Sequence, residues 1–145
     1  MNRKLDRLML AIIAVGPAHM GEQLMFGIEE FYMLRDGLGG WYAMFPAAYA
    51  DHATVLLITI VVTAISLMFY ALMHGGTAVL LVAGLFGLLG VHEAHHWIEA
   101  IGKRAYDPGL LTSFAYVGVG LLITVEVARE LKQRWRSRKP LAVTA

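Results

Sequence analysis

Two short segments hold four of the six histidines in this chain, with carboxylates beside them. They are His19-Met20-Gly21-Glu22-Gln23 and His92-Glu93-Ala94-His95-His96-Trp97-Ile98-Glu99. On a helix, residues three and four apart share a face, so each segment presents a polar stripe. At about 100° per residue, with His19 at zero, Glu22 falls near −60°, Gln23 near +40° and Glu30 near +20°. With His92 at zero, His95 falls near −60°, His96 near +40° and Glu99 near −20° by the same rule of about 100° per residue. Glu93 lies about 100° off its stripe, which assigns it to packing against a neighbouring helix or to the interface. Imidazole and carboxylate together suit zinc, iron, manganese or copper. Bundle-core dimetal sites place Glu and His inward from facing helices in this way. The candidate metal ligands are therefore His19, Glu22, His52, His92, His95, His96 and Glu99, enough for a mononuclear or a dinuclear iron or zinc site. Glu30 and Glu99 are candidate catalytic proton acceptors. The chain has no cysteine, so any ligands are nitrogen and oxygen.

These stripes need elements to hold them. The 145-residue chain is 58% hydrophobic and 16% charged, with a mean hydropathy of +0.60. A soluble domain is about 45–50% apolar and about 25% charged. The composition excludes a disordered chain, a disulfide scaffold, a cysteine-ligated zinc or iron–sulfur protein and a basic nucleic-acid binder. It indicates a bilayer as solvent. Apolar stretches at about 5–33, 50–73, 77–102 and 108–133 are each of membrane-spanning length. They are separated by turn signals at Asp36-Gly37-Leu38-Gly39-Gly40, His74-Gly75-Gly76 and Asp107-Pro108-Gly109. The expected fold is all-α, a single transmembrane domain over 1–145 built as a four-helix up-down-up-down bundle. Gly84, Gly87, Gly90, Gly118 and Gly120 are expected to let helix backbones approach closely.

Charge sets the orientation. Nine of the twelve Lys and Arg flank the first and last spans on one side, which places the N- and C-termini in the cytoplasm. Eight of the eleven acids and five of the six histidines lie in the opposite, outer half. The N-terminal run has no A-x-A site and continues past any cleavage point, so it is expected to be a retained span rather than a signal peptide. At the helical rise, His19 and His92 each lie roughly 22 Å above the cytoplasmic end of their spans, and Tyr116 falls at a similar level on the fourth. Trp41, Tyr42 and Phe45 are expected interfacial anchors. The basic tail Arg134 to Lys139 is expected to be a topology determinant, with contact to anionic lipid heads open. His74, at a cytoplasmic turn, is expected to be structural.

His92-x-x-His95-His96 looks like one histidine box of membrane fatty-acid desaturases and hydroxylases, which carry several such boxes. A broader likeness starts at His19-Met20-Gly21-Glu22-Gln23, followed by Leu24-Met25-Phe26-Gly27. It continues through the third-span histidines to Tyr106-Asp107-Pro108-Gly109-Leu110-Leu111-Thr112. There the chain resembles the HxxEE family of small bacterial membrane proteins, whose Y-x-P-G-hydrophobic-T segment the last stretch matches. Gln23 stands where the name-giving motif has its second Glu. A second acidic pair, Glu29-Glu30, follows with Phe26 in the place of a His. The resemblance implies that His19 and Glu22 act together, places the chain in a bacterial inner membrane, and names no reaction.

Three functions compete. A metal-dependent membrane enzyme, an oxidoreductase or a hydrolase, would act on a lipophilic molecule entering from the bilayer. A b-type haem electron-transfer protein would use His19 with His92, or His52, as axial ligands. A proton or metal-ion carrier, or a small subunit of a membrane complex, would use the Glu and His chain as a relay. Membrane lipids are expected partners in each case, nucleic acid is not, and a homo-oligomer is open.

Overall fold

The computed structural model describes residues 3–26 and 52–137, and every regular element among them is helical. The elements are α1 (Arg3–Phe26), α2 (His52–His74), α3 (Gly76–His92), α4 (His95–Lys103) and α5 (Leu110–Ser137). α3 and α4 are two parts of one apolar stretch, Gly76–Lys103, interrupted at Glu93 and Ala94. The turns at Gly75 and at Asp107-Pro108-Gly109 fall where the breaker residues stand. Glu30, the Glu29-Glu30 pair, the break at Asp36–Gly40 and the aromatics Trp41, Tyr42 and Phe45 lie outside the described residues.

α5 packs against α3 and α1, and α2 packs against α3 and α1. α1 and α5 are antiparallel. Lys4 pairs with Glu126 at one end, and Glu22 reaches Leu111 and Thr112 at the other. Leu5, Met9 and Ile12 are fully buried on one face of α1. Seven residues beyond Ile12, two turns along, the same face carries His19, also fully buried. The polar stripe thus continues the apolar one, and the helix that forms the core also delivers the histidine.

α3 and α5 cross in near backbone contact. A Cβ on Gly90 would lie 3.0 Å from Gly120 Cα and from the Tyr116 carbonyl, and one on Gly120 would lie 2.8 Å from the Gly87 carbonyl. Van der Waals contact of this kind is what holds helices together where the surroundings are as apolar as their side chains. Gly87 belongs to the same crossing, whereas Gly84 makes ordinary contact and Gly118 faces open space. The crossing draws the end of α3 to the start of α5, where the polar residues gather.

Gly76–Lys103 and Leu110–Ser137, 28 residues each and with 18-residue windows of mean hydropathy 1.7 and 1.8, are long and apolar enough to cross a membrane. Thr59–His74 is a shorter apolar helix. Only 39% of each long apolar window is buried inside the protein. Leu81, Leu88, Leu121 and Leu122 point outward.

Candidate metal centre

Four segments meet at the end of α1: His19 and Gln23 from α1, the interruption between α3 and α4, the Asp107-Pro108-Gly109 turn and the first turn of α5. His19 Nε2 lies 3.1 Å from Glu93 Oε2, and His96 Nε2 lies 3.3 Å from the same oxygen. His19 is fully buried and His96 is 4% exposed. The two imidazoles stand nearly perpendicular, with centroids 5.1 Å apart. Ligand atoms of His19, Glu93 and His96 all fall within 4.8 Å of one another, so this buried group can hold a metal ion.

The outer nitrogens decide what the inner ones present. His96 Nδ1 is bonded to the Asp107 carboxylate, which is acceptor-only when ionised, so the ring carries its proton on Nδ1. His19 Nδ1 lies 2.8 Å from Thr112 Oγ1. The Thr112 hydroxyl donates to Glu22, so its oxygen accepts from His19 Nδ1–H. The hydrogen-bond network therefore assigns one tautomer to both rings. A neutral ring held in this way turns its Nε2 lone pair towards Glu93 Oε2. Between neutral rings three acceptors converge in a buried space, and the Gln23 amide, 3.2 Å from His96 Nε2, donates to that atom and not to the His19–Glu93 pair. A cation satisfies all three, and imidazoles oriented by a carboxylate or hydroxyl on the far nitrogen are the usual surroundings of such an ion.

Gln23 completes the rim. Its Nε2 is 3.2 Å from His96 Nε2, and its Oε1 is buried without a hydrogen-bond partner. Tyr116 packs edge-on against His19 at 5.4 Å, at the level expected from the rise of its helix. Gly109 closes the opposite side. It sits at φ +103°, and a Cβ there would lie 2.8 Å from both His19 Cε1 and His96 Cε1. Only glycine both adopts that backbone without strain and leaves room for the rings.

Glu22 faces a different task from its neighbour His19. Its carboxylate accepts the Leu111 amide at 3.0 Å, the Thr112 amide at 2.8 Å, and the hydroxyls of Thr112 and Tyr106. It caps the α5 N-terminus, where amides lack helical acceptors and a negative charge is favoured. Tyr106, outside the helices, has its phenol pushed up to about 12, by burial first and then by the Glu22 carboxylate it donates to. Trp97 Nε1 donates to Ser113 Oγ at 2.8 Å and stacks on Phe114, which fixes α4 on α5. Lys103 reaches Asp107 at 3.3 Å from the outside.

The structure thus brings His19 and His96 together and, among the described candidates, leaves Glu22, His92, His95 and Glu99 outside that group. His92 is exposed and stacks on His95 at 5.1 Å. His95 is 43% exposed at its side chain, with Nδ1 3.9 Å from Glu93 Oε2. Glu99 is half exposed and pairs with Lys103 at 3.2 Å. His52 opens α2, and its side chain lies outside the description, as does Glu30. Glu93, assigned by helical angle to packing, is instead the residue on which both histidines converge. The reason is local: α3 ends at His92 and Glu93 is its C-cap, so the angle cannot be carried across the break. Asp107 and Thr112 carried no metal signal in the sequence beyond their place in the turn. Family models, curated proteins and solved structures show no match to this chain.

Proposed function

We propose that this chain is an integral membrane metalloenzyme of the bacterial inner membrane, with cytoplasmic termini and one transition-metal ion in its outer half. His19, Glu93 and His96 supply two nitrogens and one carboxylate, a set that suits iron(II) or zinc with a position left open for chemistry. Gln23 is placed to add its amide oxygen once the amide rotates. The carrying observation is the convergence of His19 Nε2, Glu93 Oε2 and His96 Nε2, with Thr112 and Asp107 holding the far nitrogens. Such an ion supplies Lewis acidity and lowers the pKa of bound water. The residues around it orient the ligands and exclude solvent. The apolar outward faces beside the site, Ile98, Ile101 and Leu111, favour a lipophilic substrate arriving from the bilayer. The His19-Glu22 and Tyr106–Thr112 motifs, on which the resemblance to the HxxEE family rests, are in hydrogen-bond contact.

The geometry favours a bare ion over haem, because Glu93 Oε2 sits between the two imidazoles where a porphyrin plane would have to pass. Elemental analysis and an optical spectrum of natively purified protein test the reading together. One iron or zinc per chain, lost in Glu93→Ala, supports it. A metal-free preparation made both aerobically and anaerobically, or a Soret band, overturns it.

A further inference from the structure

The end of the bundle away from the buried histidines holds a cavity of about 540 Å3, between the start of α1, the α2–α3 turn and the end of α5. Sites for small molecules usually have about 300–1,000 Å3. Its apolar lining is Leu5, Val79 and Leu80, all buried. Its charged lining is mixed, with Asp6 from α1 and Glu130 and Arg134 from α5. Arg134 commits its Nε to Glu130 at 3.1 Å, which leaves the terminal nitrogens of the guanidinium for a ligand. Asp6 Oδ1 is buried with no hydrogen-bond partner among the described residues. His74 also lines the cavity, but its Nδ1 donates to the Tyr70 carbonyl at 2.9 Å and its ring stacks on Tyr70. A second cavity, of about 500 Å3, shares Leu80 and Arg134 with the first. Leu81, Leu131 and Trp135 also line it, and all three are exposed, so it is an apolar groove on the outer face between α3 and α5. Arg134 thus stands where a polar cavity meets an apolar groove. That is the order of headgroup and tail in a phospholipid, and an exposed Trp beside it is usual at the level of membrane headgroups.

We propose that this end of the bundle binds one phospholipid with a primary-amine headgroup, its phosphate on Arg134, its ammonium on Asp6 and Glu130, and an acyl chain in the groove. This rests on the reading of the chain as a membrane protein and is independent of the metal centre. Charge selects the headgroup. A phosphate alone would meet Arg134 but also the carboxylates of Asp6 and Glu130. An ammonium joined to that phosphate by a short ethylene link meets those carboxylates with a cation, while Arg134 keeps the phosphate. A trimethylammonium has no N–H to give Asp6, and a glycerol headgroup has no cation. The last torsion of an Asp side chain is broad and roughly two-fold, so either oxygen of Asp6 can be offered to the ligand. Arg134 can lay its apolar stem along the groove and keep its charged head at the cavity.

The test uses the full chain, delipidated in detergent micelles and mixed with phosphatidylethanolamine, phosphatidylcholine or phosphatidylglycerol of identical acyl chains. Native mass spectrometry counts the bound lipids and gives their affinities. One phosphatidylethanolamine per chain is expected, bound roughly tenfold more tightly than either of the others, the step that one hydrogen bond to a charged group supplies. Asp6→Asn should abolish the preference over phosphatidylcholine. Arg134→Gln should weaken all three lipids by a similar factor, because all three carry the phosphate. Equal binding of the three lipids overturns the proposal, and so does a preference that survives Asp6→Asn. Glu130→Gln should reduce the same preference and keeps the test available if Asp6→Asn fails to fold. Lipid binding that appears only after removal of residues 138–145 would make the chain's own tail the occupant, and overturns the proposal too. If the chain stays in solution without detergent and enters no bilayer, the membrane reading itself falls. If it enters a bilayer and shows no headgroup preference, only the lipid site falls.

Discussion

The Glu22 carboxylate of α1 accepts both the backbone amide of Thr112, at 2.8 Å, and its hydroxyl, so a side chain of one helix caps the first turn of another. The same hydroxyl oxygen receives His19 Nδ1 at 2.8 Å. Helix docking and imidazole orientation therefore depend on one contact.

Glu22→Ala should lower the thermal midpoint of the protein in micelles, with a loss of about 1–2 kcal/mol, the range for a lost helix cap. Glu22→Gln keeps an acceptor oxygen and should lose less. Thermal unfolding followed by circular dichroism, with metal content measured in parallel, checks both. An unchanged midpoint in Glu22→Ala would remove the capping role.

Glu93→Ala should abolish stoichiometric metal binding, because it removes the atom on which both Nε2 lone pairs converge. We expect the affinity to fall by more than about a hundredfold, beyond the 10–100-fold typical of outer residues. Isothermal titration with Zn2+ or Co2+ measures it.

Asp107→Asn should behave differently. The amide still accepts a hydrogen bond from His96 Nδ1–H but lacks the charge that raises ligand basicity, so affinity should drop by about 10–100-fold while one ion still binds at saturation. Equal loss in Asp107→Asn and Glu93→Ala would show that Asp107 is itself a ligand.

Gly109→Ala should both strain the backbone, at about 1–3 kcal/mol for a residue held outside its preferred region, and displace the rings of His19 and His96. Reduced stability together with loss of metal is expected. Retention of full affinity would mean that the turn and the two imidazoles are less tightly packed than the 2.8 Å approaches indicate.

Tyr106, with its phenol pushed up to about 12 from 10.0, gives a pH dependence of defined sign. A raised folded value means that the phenol's contribution is complete below pH 10 and is lost as pH rises through about 12. In an alkaline titration read by phenolate absorbance, Tyr106→Phe should remove a component that titrates late. Loss of an early component instead would place the Tyr106 hydroxyl away from Glu22.

Much of this site was legible because helical periodicity is local. His19 and His96 announce themselves as ionisable groups on otherwise apolar faces, and the breaker residues at Gly75 and Asp107-Pro108-Gly109 mark true turns. Glu93 was hidden because its position depends on where α3 stops, which single-residue angles do not reveal. Asp107 and Thr112 were hidden for another reason. Their bonds to His96 and His19 join residues 11 and 93 positions apart, and the second of these distances is set by helix packing alone. Glu22 shows the converse limit. Its spacing from His19 is that of a chelating pair, yet the contacts of its carboxylate come from Tyr106 and the start of α5.

Followed from bond to bond, the contacts form a closed circuit. Tyr106 holds Glu22, Glu22 holds Thr112, Thr112 holds His19, His19 and His96 share Glu93, and His96 holds Asp107. Asp107 is the next residue after Tyr106, so a single peptide bond shuts the loop. A linear chain of contacts fails piece by piece, but a closed one resists until the first link goes and then has little left to lose. Damage at Thr112 and at Asp107 should therefore overlap rather than add. Whatever sits at Glu93 is gripped from both directions by the same short turn of chain.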